Sequence, residues 1–118
     1  MFLMSGSQSN VPPRILQGTL NMMVLRILSD GAEHGYGIAR KISERSKDGL
    51  LIKEGSLYPA LHRLEKNGLV SSEWRASESN RRAKYYRLTA KGKQELASEA
   101  ASWQQASQAI NNVMTGLT

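Results

Sequence analysis

The side chains able to do covalent or acid–base chemistry are few and scattered in this chain. Its two histidines, His34 and His62, fall in different segments, and cysteine is absent. No pair of carboxylates has a spacing suited to general acid–base work, and no cysteine nucleophile is available. Two histidines without a third ligand at helical spacing do not make a metal site. The glycines of His34-Gly-Tyr-Gly37 fit neither the dinucleotide fingerprint nor the Walker phosphate loop. The expectation is a protein with no catalytic residues, no metal and no cofactor.

What the chain does concentrate is positive charge. From Arg75 to Lys93, seven Lys or Arg stand against one acid, Glu78, whereas the first 74 residues set nine bases against seven acids. The formal charge of +6 is therefore local to one segment. Dense local cations suit a polyanionic partner, because each phosphate they neutralise releases condensed counterions.

The elements that position these cations can be read from periodicity. Leu20, Met23, Val24, Ile27 and Leu28 follow i, i+3, i+4, i+7, i+8 spacing and share one face of a first helix, which breaks at Asp30-Gly31. Gly35-Tyr-Gly37 opens a second helix that runs through Ile38 and Ile42 to about Ser46. A third is expected from Ser56, whose hydroxyl suits an N-cap, to Asn67-Gly68, with Pro59 tolerated in its first turn. Leu69 to Ala76 and Ala83 to Leu88 carry β-favouring residues around the polar loop Ser77 to Arg82 and predict a hairpin, with Trp74 expected in the core. Thr89 is a cap candidate for a final helix reaching Met114.

Three helices followed by a hairpin is the winged helix-turn-helix order, so the fold class is mainly α with a small β-hairpin. In the third helix Leu57, Ala60, Leu61 and Leu64 share one side, while Pro59, His62 and Lys66 take the other with Tyr58 and Arg63 at its edges. One face packs and the other suits the major groove of duplex DNA, where Arg63 can reach guanine acceptors or phosphates. Arg81 and Arg82, with Lys84 just beyond, place cations at the hairpin tip for phosphate contact. The final helix repeats Leu96, Trp103, Ile110 and Leu117 every seven residues, with Ala106 and Val113 between. About 25 helical residues span roughly 40 Å, more than the small domain beneath can cover, so part of this stripe is expected to meet another chain.

Four blocks carry a resemblance: Gly18-Thr-Leu-Asn21, His34-Gly-Tyr-Gly-Ile38, Glu54-Gly-Ser-Leu-Tyr-Pro-Ala-Leu-His-Arg-Leu-Glu65, and Arg81-Arg-Ala-Lys-Tyr-Tyr-Arg-Leu-Thr89. In this order and spacing the chain resembles the PadR family of transcriptional regulators over about residues 16 to 115, in its subgroup with a single short C-terminal helix. The resemblance implies a homodimer joined through that helix, pseudo-palindromic operators, and repression relieved by a ligand or other signal. It also implies DNA contact by Tyr36, Ser56, Tyr58, His62, Arg63 and Lys66, with Arg81, Arg82 and Lys84 from the wing. Tyr36 has an alternative place, packed between the second and third helices. In some members of the family that resemble this chain, a tryptophan of the last helix stacks on planar aromatic compounds between subunits, which makes Trp103 the ligand-contact candidate beside its role as interface core.

With 118 residues and 40% hydrophobic side chains, the chain has room for one domain and an appended element. The expected division is a flexible leader over 1–14, a DNA-binding domain over 15–89 and a dimerisation helix over 90–118. No apolar run approaches membrane-spanning length, Met1 to Met4 lacks the features of a secretion signal, and a cytoplasmic location is the default. The rival to DNA binding is a winged-helix module that docks proteins, and the basic tip argues against it, since a protein-docking wing has no need of Arg81, Arg82, Lys84 and Arg87 together.

Overall fold

A computed structural model describes residues 18–117; the expected leader lies outside the described residues. The chain order is α1 (Leu20–Leu28), β1 (Glu33–His34), α2 (Gly35–Arg45), α3 (Glu54–Lys66), β2 (Val70–Ala76), β3 (Arg82–Leu88) and α4 (Ala90–Met114).

The helical periodicity becomes a single core. Leu20, Val24, Leu25, Ile27 and Leu28 of α1 meet Ile38 and Ile42 of α2 and Leu57, Ala60, Leu61 and Leu64 of α3, and Val70 and Tyr86 of the sheet close it. These side chains leave water almost completely, which supplies the main driving force for folding.

The hairpin is antiparallel, with Val70 opposite Leu88 and Ala76 opposite Arg82. A two-residue strand, Glu33–His34, adds to its other edge opposite Tyr86 and Tyr85, giving the order β1-β3-β2. No pattern in the sequence predicts this short strand. It fixes where α2 starts, because the His34 Nδ1 accepts the Gly37 N–H at 3.0 Å and caps the helix.

Two local expectations are corrected. The third helix begins at Glu54 rather than Ser56, with Lys53 at the N-cap position and no side-chain cap bond. Glu54 instead places a negative charge in the first turn, which the helix dipole favours. Trp74 is not core but 58% exposed, because β2 runs beyond the helices that bury Val70.

The last helix is anchored at its start. Thr89 caps it as expected, accepting from the Gly92 N–H at 3.0 Å while its own hydroxyl donates to the Gly68 carbonyl at 2.7 Å. Gly92 lies so close to the Leu69 carbonyl that a β-carbon there has no room. The α4 helix then packs across α1, where Leu96 rests against the domain's own core, and continues outward.

Candidate nucleic-acid interface

The two faces of α3 separate as their spacing requires. Leu57, Ala60, Leu61 and Leu64 are buried, while Ser56, Tyr58, Pro59, His62, Arg63 and Lys66 are exposed. Among the described residues no carboxylate is paired with Arg63 or Lys66. Their guanidinium and ammonium donors are therefore free for a partner.

The wing is held against the end of this helix by one carboxylate. Ser72 Oγ donates to Glu65 Oε2 at 2.5 Å, and Lys84 Nζ stands 3.5 Å from Glu65 Oε1. The Ser72 hydroxyl and the Lys84 charge outweigh the modest effect of burial and hold the Glu65 carboxyl below its ordinary range. Lys84 is thus partly engaged within the chain, unlike Arg81 and Arg82, which have no ion pair among the described residues. The tip itself is a tight turn in which the Ser77 N–H donates to the Arg81 carbonyl at 2.7 Å, with Asn80 in the left-handed region.

Strand alternation divides the basic segment, which reads as one patch in the sequence. Arg82, Lys84 and Tyr86 share a face with Trp74, whereas Arg75 and Arg87 lie on the reverse, where Arg75 sits 4.0 Å over the Tyr85 ring. The forward face and the helices enclose a cleft of about 780 Å³ lined by His34, Tyr36, Arg40, Tyr58, Trp74, Arg81, Arg82 and Lys84. Tyr36 is 73% exposed, which excludes its packing between the helices. The ring that does occupy that space is Tyr58: a β-carbon on Gly35 would lie 2.7 Å from its hydroxyl.

The fold and its basic surface can be set beside known proteins. The family model described as "Transcriptional regulator PadR-like family" matches residues 24–98, well over half of the chain. The chain belongs to the PadR family. A PadR-like transcriptional regulator from Bacillus cereus is similar in structure, with a TM-score of 0.76 and 32% identity over 87% of this chain and 98% of that one. A transcriptional regulator from Clostridium thermocellum gives the same TM-score at 31% identity, covering 84% of this chain and 96% of its own. By sequence, a transcriptional regulator from Mycobacterium tuberculosis is 31% identical over 83 residues, 70% of this chain and 74% of that protein. PadR proteins are transcriptional regulators rather than enzymes, in keeping with a chain whose histidines are dispersed.

Within this PadR fold the expected DNA-facing residues Tyr36, Tyr58, Arg81, Arg82 and Lys84 share the cleft, while Ser56, His62, Arg63 and Lys66 lie on the exposed part of α3. The cleft is also lined by Arg40 and Trp74, to which the sequence alone assigns no contact with DNA. Arg40 was readable as a solvent-facing cation of the second helix; Trp74 required knowing where the sheet outruns its helices. On α4, Ala106, Ile110 and Val113 are exposed and Trp103 is half exposed, whereas Leu96 is partly buried in its own domain; Leu117, expected on the same stripe, lies exposed beyond the helix, which ends at Met114. Among the described residues no helix is long and apolar enough to cross a membrane, and no cluster of metal-ligating side chains occurs.

Proposed function

We propose that this PadR-family chain is a transcriptional repressor that binds duplex DNA as a homodimer on a pseudo-palindromic operator in the cytoplasm. The observation that carries the reading is the set of cations without an ion pair among the described residues, Arg63 and Lys66 on the exposed side of α3 and Arg81 and Arg82 on the wing, whose cleft Tyr58 of α3 also lines. In this reading the exposed side of α3 enters the major groove. Arg63 reads a base edge, with His62, Tyr58 and Ser56 nearby and Lys66 on phosphate, while Arg81, Arg82, Lys84 and Tyr36 hold the backbone.

The homodimer is supported by Trp103, Ile110 and Val113, between 50% and 82% exposed on a helix that outruns its domain, with the exposed Leu117 just beyond its end. A contiguous apolar surface of that kind marks an interaction site, and a second copy of the same stripe completes it, with Ala106 at the close approach. Trp103 is the ring on which a small aromatic effector would stack between the two subunits, relieving repression. Titration with a planar aromatic dye should quench the tryptophan emission of the parent and leave that of Trp103→Ala, which comes from Trp74 alone, unchanged.

The functional test replaces Arg81 and Arg82 together by Ala and measures binding to the intergenic DNA beside the protein's own gene and to a scrambled duplex. Both affinities should fall alike, and the dependence of log affinity on log salt should become shallower by about one for each phosphate that is no longer neutralised. Unchanged affinity in the double variant would remove the wing from the interface.

A further inference from the structure

The cleft between wing and helices is lined by aromatic side chains that keep much of their surface exposed. Trp74 is 58% exposed, Tyr36 73% and Tyr58 44%, and all three line this one cavity. Arg40 of α2 and Arg81 and Arg82 of the wing line it too, without an ion pair among the described residues. Glu78, at the wing tip, is the one carboxylate among its lining residues.

The chemistry is specific in kind. A small-molecule site encloses most of its ligand's surface, whereas Trp74 and Tyr36 stand largely in water around an open trough and Tyr58, packed against Gly35, keeps an exposed edge on it. A DNA strand alternates apolar deoxyribose with anionic phosphate, and a trough that mixes uncovered rings with free guanidinium groups complements both. Its position decides the rest: Tyr58 belongs to the cleft and to the exposed side of α3 alike, so a strand lying there continues directly into the site α3 reads.

We propose that this cleft seats one sugar–phosphate strand of the duplex, Trp74 packing against deoxyribose and Arg40 holding a phosphate from the α2 side. This rests on the DNA-binding reading above and adds two contact residues and a path for the strand. Because Trp74 packs on sugar, its contribution is independent of sequence and insensitive to salt. Arg40, holding a phosphate, contributes through counterion release.

The experiment uses the full chain and two duplexes of about 25 base pairs, long enough for half-sites one turn apart, one from the intergenic DNA and one scrambled. Trp74→Ala should weaken both duplexes about tenfold with an unchanged salt slope, Trp74→Phe should recover most of that loss, and Arg40→Ala should make the slope shallower by about one per subunit, about two for the bound dimer. Thermal melts should match the parent, since both side chains are exposed. As a direct readout, 5-fluorotryptophan labelling gives a Trp74 fluorine resonance, assigned by its absence in Trp74→Phe. That resonance should lose its water–deuterium-oxide shift when either duplex is added. If the chain binds the duplexes while the Trp74 resonance keeps that shift and Trp74→Ala binds like the parent, the strand path is wrong and the DNA-binding reading stands. If the full chain binds neither duplex at any salt concentration, both fall together.

Discussion

Leu61 and Arg63 sit two residues apart on α3 and do different work. Leu61 has no exposed surface, so Leu61→Ala should cost about 2 to 5 kcal/mol of folding stability and lower the melting temperature, with affinity falling only in proportion to the unfolded fraction. Arg63 is exposed and unpaired, so Arg63→Ala should leave the melt unchanged. It should cost roughly 1 to 3 kcal/mol on the operator and much less on a scrambled duplex. An equal loss on both duplexes would make Arg63 a phosphate contact. The division between these two residues was legible from sequence because a helix rotates 100° per residue, and burial follows from that alone. The fate of Trp74 was not: alternation says which face of the strand a ring occupies, but only the packed structure shows that the helices stop short of it. Tyr36 and Tyr58 illustrate the same limit, since which ring fills the space beside Gly35 depends on how α2 and α3 cross.

At the scale of elements, the start of α2 rests on a small charged network. Lys41 Nζ lies 2.7 Å from Glu33 Oε1, and the His34 N–H donates to Glu33 Oε2 at 3.1 Å. Burial pushes the Glu33 carboxyl up, but the hydrogen bonds from Lys41 and the His34 backbone, with the Lys41 charge, outweigh it and hold the group below its ordinary value. A depressed carboxylate pKa contributes stability that is fully present above the unfolded value, 4.5 for this group, and is lost as pH falls through the folded value. Denaturation at successive pH values should therefore show the parent losing stability on acidification below that value, and Glu33→Gln should lose less. An identical pH dependence in both would detach the network from stability. Strand β1, which carries Glu33, has no sequence signature because two residues have no period of their own. Its pairing with Tyr85 and Tyr86 joins segments about fifty residues apart, beyond any local signal. The α4 helix was the opposite case, announced by its Thr89 cap and seven-residue stripe. Two members depart from that stripe: Leu96 is taken up by its own domain, and Leu117 lies beyond the end of the helix at Met114.

For the whole molecule, the expected state is a dimer whose two α3 helices face successive turns of one duplex. The core closes without the outer half of α4, so a chain ending after Glu99 should still melt cooperatively yet sediment as a monomer, while the full chain sediments as a dimer. A full-length monomer at tens of micromolar, on the order of obligate-dimer working concentrations, would show that the exposed stripe is not a dimer interface.

Sequence-specific binding of DNA is measured most directly by titrating the full chain with the intergenic duplex and with a scrambled duplex across a series of salt concentrations. The intergenic duplex should bind at least about a thousandfold more tightly at physiological salt. Its log–log salt slope should be steep enough for about 6 to 10 released ions. Equal, weak affinities for the two duplexes, or an affinity that does not change with salt, would contradict it.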